Sequence, residues 1–249
     1  MHTGDQVKRI CVWSGPRNIS TALMYSFAQR SDTVVYDEPL YGHYLVNSPA
    51  RNYHPGAEET IAIMETDGEK VIKDVVMGPQ PKPIAFFKMM SHFLPTIDHS
   101  FLEYTDNVLL TRHPREMLPS YAKEVPDPSM NDIGYAQHIK LLSHLKSLGQ
   151  NPPILDSTIT LANPEKVLTI LCDSLGIDFE QAMLSWEPGP RKEDGNWAKY
   201  WYKSVHKSRK FLPHKPKVEP FPEHLESLYE QSLPLYEELV AGAIGIKTK

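Results

Sequence analysis

Short apolar runs recur along the chain and are separated by polar segments. Runs rich in Val, Ile, Leu and aromatic residues occur at 7–13, 33–37, 71–74, 107–111 and 153–156. Runs of this length and composition are typical of strands that are buried on both faces of a sheet. The pattern therefore predicts five buried strands.

The segments between these runs carry helical periodicity. Apolar residues recur at helix spacing within 19–27, 139–146 and 167–175, and residues 223–240 predict a last helix that contains Pro234. Asn163 and Pro164 predict a helix start, and Gly176 predicts its end. Because strands alternate with helices, we expect a three-layer α/β/α fold around a mostly parallel sheet, with ligands at the carboxyl ends of the strands.

Composition adds limits to this picture. The chain has 249 residues, of which 41% are hydrophobic and 23% are charged, as is usual for a soluble folded protein. We expect one domain over residues 1–249. An apolar run of the roughly 18 residues that a membrane helix needs is missing, which excludes a membrane protein. The polar first residues and only two cysteines favour a cytoplasmic protein without a disulfide framework or metal cluster.

The charge is distributed unevenly. Residues 190–217 contain nine Lys and Arg against Glu193 and Asp194, a charge of +7. Since the whole chain carries −5, the remainder carries −12. This balance excludes a general nucleic-acid binder, whereas a cationic segment on an acidic body favours a small anionic ligand. A solvated basic loop is the alternative.

The segment after the first predicted strand carries the strongest signal. An apolar strand leads into Ser14-Gly15-Pro16-Arg17-Asn18-Ile19-Ser20-Thr21, and an amphipathic helix follows. A strand–loop–helix join directs free backbone N–H groups and the positive helix end toward one point, where they can bind phosphate. The Lys of a nucleotide-triphosphate P-loop is missing, so this is a different phosphate cradle. The alternative is that Asn18 and Ser20 only cap the helix.

A second anion motif lies in the stretch 109–121. Arg112 follows a predicted strand, Pro114 stands two residues after it, and Ser120 stands eight residues after Arg112 on the following helix. Eight residues span slightly more than two helical turns. The arginine and the serine can therefore converge on one anion.

Together these motifs resemble the PAPS-dependent sulfotransferase family, in particular its bacterial and carbohydrate-type members. Residues 16–21 lie over the family's 5′-phosphosulfate loop, and Arg112 with Ser120 over its 3′-phosphate motif. Residues 189–197, which contain Arg191 and Lys192, resemble the family's C-terminal R-K-G element, and the stretch 156–176 resembles the segment after its fifth strand. Arg17 replaces the common Lys, Ile19 replaces Gly, and the aromatic shelf for adenine is missing.

The resemblance implies an enzyme that moves a sulfuryl group from PAPS to a hydroxyl or amine of a small molecule or sugar. The implied binding residues for PAPS are Arg17, Asn18, Ile19, Ser20, Thr21, Arg112, Ser120, Arg191 and Lys192. Arg17 would stabilise charge on the leaving phosphate. Glu38, in Glu38-Pro39-Leu40 after the second strand, is the expected general base, and Lys73, at the predicted end of the third strand, would assist.

Several alternatives stay open at this stage. Glu38 could be a surface or capping carboxylate, and the base could instead be His92 or His43. His92 is interpreted as structural because it lies about 19 residues beyond the predicted third strand. The aromatic residues of 197–202 could cover a ligand or anchor a loop. The histidine spacing gives no metal site. Another P-loop kinase or NTPase, or a nucleotide-binding protein without catalysis, are the alternative functions.

Overall fold

The computed structural model describes residues 7–213 and 220–245. Within them one sheet contains the strands β1 (Lys8–Ser14), β2 (Thr33–Asp37), β3 (Ile84–Met90), β4 (Asp106–Thr111) and β5 (Ile154–Asp156). Their order is β2-β3-β1-β4-β5, and all pairs are parallel. The predicted α/β fold with a parallel sheet is confirmed, and four of the five predicted strands lie within one residue of the observed ones.

Eleven α-helices occur in the described residues. They are α1 (Ser20–Phe27), α2 (Tyr41–Val46), α3 (Ala57–Ile61), α4 (Gly68–Val71), α5 (Pro114–Tyr121), α6 (Met130–Ile133), α7 (Tyr135–Ser147), α8 (Ser157–Ala162), α9 (Pro164–Leu175), α10 (Ala198–Trp201) and α11 (Glu226–Val240). Short 3₁₀ turns lie at Pro49–Asn52, Ser91–Phe93, Ser100–Tyr104, Gln181–Leu184, Val205–Lys207 and Glu223–Leu225.

The caps of α9 follow from its sequence. The Asn163 side chain accepts a hydrogen bond from the Lys166 backbone, Pro164 is the first helical residue, and Gly176 ends the helix with φ 65°. A left-handed residue after the last turn costs least when it is glycine. The predicted helix start and end are confirmed.

The predicted third strand is wrong. Residues 71–74 complete α4 and continue into a π-helical turn, Ile72–Val76, and the third strand is Ile84–Met90. The Asp67 side chain accepts hydrogen bonds from the backbone N–H groups of Glu69 and Lys70, so it starts the helix that occupies this segment. Lys73 is therefore an exposed residue of the helical turn and does not end a strand.

Two apolar clusters cover the two faces of the sheet. Ile10 and Val12 of β1 pack with residues of α1 and α9, whereas Cys11 and Trp13 pack with residues of α2, α5 and α7. Alternation along a strand sends neighbouring side chains to opposite faces, so helices lie on both sides of the sheet. No helix among residues 7–213 and 220–245 has both the length and the apolar character that crossing a membrane requires.

Candidate active site

The loop between β1 and α1 is held in an unusual backbone conformation. Arg17 has φ 58° and Ile19, the residue before α1, has φ 62°. Side chains with a Cβ rarely adopt the left-handed region, and a β-branched residue does so least readily. Asn18 between them is buried; its side-chain amide donates to the Leu110 carbonyl at 3.2 Å, and its backbone carbonyl accepts from Ser157 Oγ at 2.9 Å. These contacts hold the strained loop over the start of α1.

The two predicted anion motifs meet at Arg17. Its Nε donates to Ser120 Oγ at 3.0 Å and its Nη1 donates to the Trp201 carbonyl at 2.8 Å. Arg112 Nη1 donates to the Arg17 carbonyl at 2.9 Å. Burial, together with the positive charge of Arg112, lowers the pKa of Arg17. Because both side-chain partners of Arg17 are neutral, its charge is available to an anion.

A buried charge cluster lies beside this loop, at the carboxyl ends of β2 and β3. Lys88 Nζ donates to Asp37 at 2.9 Å, to Tyr202 Oη at 2.7 Å, and to the Glu38 carboxylate. The side chain of Lys88 is 1% exposed and that of Glu38 is 7% exposed. Gly195 N also donates to Asp37, at 3.1 Å, so the C-terminal segment is attached to this cluster.

Burial and neighbouring charge shift the pKa values of Glu38 and Lys88 in opposite directions. Burial raises the pKa of Glu38, and the Lys88 ammonium offsets only part of this rise. Burial alone would lower the pKa of Lys88, but the negative charges of Asp37 and Glu38 raise it overall. Lys88 therefore stays charged, while Glu38 has more affinity for a proton than an ordinary glutamate. Glu38 also has a left-handed backbone, with φ 46°.

One cavity of about 330 Å³ joins the loop and the cluster. Its wall contains most of the predicted site residues, namely Arg17, Asn18, Ile19, Ser20, Thr21, Glu38, Arg112 and Ser120. Lys88, His54, Tyr202 and Lys210 also line it. Sequence reasoning missed Lys88 and His54, whereas Tyr202 belongs to the aromatic residues of 197–202 and Lys210 to the cationic segment. Lys88 could have been found as the only charged residue inside the apolar run 84–90.

Three predicted cationic residues lie elsewhere. Lys73 is absent from the described residues that line the cavity, because it belongs to the helical turn after α4. The Arg191 guanidinium lies 5.1 Å from the ring centre of Tyr25 in α1, and Lys192 is 91% exposed. Contact of Arg191 and Lys192 with a 3′-phosphate stays a prediction. Lys215 and Lys217 of the cationic segment lie outside the described residues.

The candidate histidines occupy different surroundings. His92 follows β3 directly and lines the cavity, so the sequence distance that favoured a structural interpretation rested on the misplaced strand. Burial lowers the pKa of His92 to about 3. His43 is not among the described residues that line the cavity. Its ring is hydrogen-bonded to Thr96 Oγ1 at 2.7 Å and to the backbone N–H of Gly68 at 3.1 Å.

Comparison with known proteins identifies the family. The family model described as "Sulfotransferase domain" matches residues 8–243. The chain belongs to this sulfotransferase family. The predicted resemblance is confirmed at the level of family and fold, and membership makes the chain a transferase domain.

A solved structure has a similar fold, and two curated relatives are much longer proteins. The chain is similar to a sulfotransferase from Alicyclobacillus acidocaldarius, with a TM-score of 0.54, 13% identity and 95% of each chain covered. It is also 40% and 41% identical to the branched-chain-amino-acid aminotransferase-like proteins 2 and 1 of Arabidopsis thaliana, over 92% and 91% of its length. The chain spans about two fifths of the length of these curated relatives (41% and 40%), so their aminotransferase-like names describe much larger proteins.

Proposed function

We propose that this chain transfers a sulfuryl group from PAPS to a hydroxyl or amine of a small-molecule acceptor and releases PAP. The observation that carries the proposal is the contact of Arg17 with Ser120 at 3.0 Å. The two residues stand 103 positions apart in the sequence. Their contact therefore brings the two anion motifs together at the carboxyl edge of the sheet. Family membership supports the same reaction class.

The residues of the loop fit an anionic nucleotide. Arg17 and Arg112 are adjacent cations, and within the described residues Arg17 forms no salt bridge. Within the part of the chain that the structure describes, the buried Oδ1 of Asn18 has no hydrogen-bond partner, so a hydroxyl or amino group of a ligand can satisfy it. Backbone N–H groups at the start of α1 and the hydroxyls of Ser20 and Thr21 would hold the 5′-phosphosulfate, and Arg112 with Ser120 the 3′-phosphate.

The chemistry needs charge stabilisation at one end and proton removal at the other. The acceptor oxygen or nitrogen forms a new bond to sulfur while the bond from sulfur to the bridging phosphate oxygen breaks. Arg17 would stabilise the negative charge that develops on that phosphate oxygen. Glu38 would take the acceptor's proton, and its raised pKa suits this role. Lys88, in place of Lys73, holds Glu38 in position.

Binding of PAP tests the donor half of the proposal. A hundredfold excess of PAP over its Kd should raise the unfolding temperature by roughly 5–10 °C. Arg112→Ala should abolish most of this shift, while Arg51→Ala, which removes an exposed arginine paired with Glu58, should keep it. A PAP shift that is absent from the unmodified chain, or equal in Arg112→Ala, would refute the proposal. Transfer of radiolabelled sulfate from PAPS to an acceptor panel then tests turnover.

A further inference from the structure

One part of the cavity wall is aromatic. Five residues of this wall are Tyr41, Phe93, Tyr121, Trp197 and Trp201. Tyr41 stacks on Phe93 with ring centres 5.6 Å apart, and Trp201 stacks on Tyr121 at 5.9 Å. Four of them belong to the apolar cluster on one face of the sheet, and Trp201 packs against that cluster. This wall presents ring surface to whatever binds beside Glu38.

The polar side-chain atoms of Tyr41, Tyr121 and Trp197 already have partners inside the protein. His54 bonds the hydroxyl of Tyr41 through Nδ1 at 2.9 Å and the hydroxyl of Tyr121 through Nε2 at 3.2 Å. Trp197 Nε1 donates to Tyr202 Oη at 3.3 Å. A ligand that sought these atoms would have to break existing buried hydrogen bonds. The wall therefore offers few free hydrogen-bonding groups, although its residue types are polar at their tips.

The cation beside this wall is Arg17, whose Nη1 donates to the Trp201 carbonyl and whose charge the proposed function assigns to the donor's phosphate. The histidines are uncharged at neutral pH, because burial lowers the pKa of His54 to about 4 and that of His92 to about 3. The Lys88 ammonium is enclosed by two carboxylates and a hydroxyl. An acceptor carboxylate here would compete with the donor's phosphate for Arg17 and would lie near the negative charge of Glu38.

From this wall we infer that the acceptor is an uncharged apolar alcohol or phenol rather than a carbohydrate or a carboxylate-bearing alcohol. The inference rests on the proposed function, since it concerns the second substrate of the same site. A sugar can lie on an aromatic ring, but its several hydroxyls would lose water without gaining partners. An apolar ring loses little on leaving water and gains contact with the rings of the wall.

Direct binding to the full chain in the presence of saturating PAP tests this inference without requiring turnover. The probes are 2-naphthol, 6-hydroxy-2-naphthoic acid and methyl β-glucoside, measured by titration calorimetry. We expect 2-naphthol to bind at least tenfold more tightly than either of the others. Trp201→Ala should weaken 2-naphthol at least fivefold while PAP still binds, and Tyr104→Ala, at a residue that is 67% exposed, serves as the control.

The outcomes separate this inference from the proposed function. Equal or tighter binding of the glucoside or the naphthoate overturns the inference, and so does failure of 2-naphthol to bind up to its solubility limit when PAP is bound. Failure of PAP itself to bind overturns the proposed function instead. In that case, 2-naphthol binding that is selective and sensitive to Trp201→Ala would still support an apolar site.

Discussion

The hydroxyl of Tyr202 lies 2.7 Å and 2.8 Å from the two carboxylate oxygens of Asp37 and donates its hydrogen to this group. The same hydroxyl accepts a hydrogen bond from Lys88 at 2.7 Å. Tyr202 follows α10 in the C-terminal segment, whereas Asp37 ends β2. This pair therefore attaches the C-terminal segment to the carboxyl edge of the sheet, next to the candidate base.

Removal of this hydroxyl should weaken the whole chain. Tyr202→Phe leaves Asp37 with one donor fewer and Lys88 with one acceptor fewer, both in a buried place. We expect a loss of about 1–3 kcal/mol in the free energy of unfolding, measured by chemical denaturation. Tyr104→Phe, at an exposed position, is the matched control and should be neutral. Equal stability of the two variants would show that the hydroxyl is replaceable by water.

Lys88, which is buried in the charge cluster, and Lys73, which is exposed, offer a second matched pair of variants. Lys88→Met leaves two buried carboxylates without their cation, so we expect a loss of about 3–5 kcal/mol. Lys73→Met, at an exposed position, should change neither stability nor turnover. The loss in Lys88→Met should be larger at pH 8 than at pH 5, because protonation removes the uncompensated charge at low pH.

A double variant checks this explanation of the Lys88 effect. Lys88→Met with Glu38→Gln removes one of the two uncompensated carboxylates, and it should recover part of the stability that Lys88→Met loses. Denaturation of the single and double variants at both pH values gives the comparison. A double variant that is as unstable as Lys88→Met would mean that lost packing, and not charge, dominates.

The fold and the loop between β1 and α1 were largely predictable from the sequence, because the apolar pattern and the turn or capping residues indicate the same elements. The run 7–13 leads directly into a loop and an amphipathic helix, and Asn163-Pro164 and Gly176 mark both ends of α9. In each case the apolar pattern and the capping residues indicate the same element.

The prediction of the third strand was wrong for a physical reason. The predicted strand 71–74 is only four residues long, and periodicity cannot separate a strand from a helix over so short a run. The true strand, Ile84–Met90, contains Lys88, and a buried lysine needs carboxylate partners that only the folded sheet brings near. His54 was missed similarly, because its partner Tyr121 lies 67 residues away in the sequence. Tyr202 was noticed only as one of the aromatic residues of 197–202, because its partner Asp37 lies 165 residues away.

The conformation of Ile19 predicts an order of stability among its variants. With φ 62°, the Cβ of this residue strains the backbone, and glycine would relieve that strain. Ile19→Gly and Ile19→Ala both lose the side chain beyond Cβ, but only alanine keeps the strained Cβ. We expect the glycine variant to be more stable than the alanine variant by about 1 kcal/mol in chemical denaturation. The reverse order would show that the loop relaxes to another backbone conformation.

The general base can be assigned between Glu38 and His92 by their opposite responses to burial. Burial raises the pKa of Glu38, which makes its carboxylate a stronger base than usual. Burial lowers the pKa of His92 to about 3, which makes its imidazole a weak base. Since a base works best when its pKa lies near the working pH, Glu38 is favoured.

Glu38→Gln should therefore keep the PAP-induced thermal shift but lose turnover by roughly 10²–10⁴-fold. In the unmodified chain, kcat should rise with pH as Glu38 loses its proton, with the acidic limb above the ordinary glutamate pKa of about 4.3. That limb should disappear from the residual activity of Glu38→Gln. His92→Asn, measured in parallel over the same pH range, should retain more turnover than Glu38→Gln and should keep the acidic limb. If His92→Asn removes the limb and Glu38→Gln does not, the base is His92, and the carboxylate of Glu38 serves only to balance the charge of Lys88.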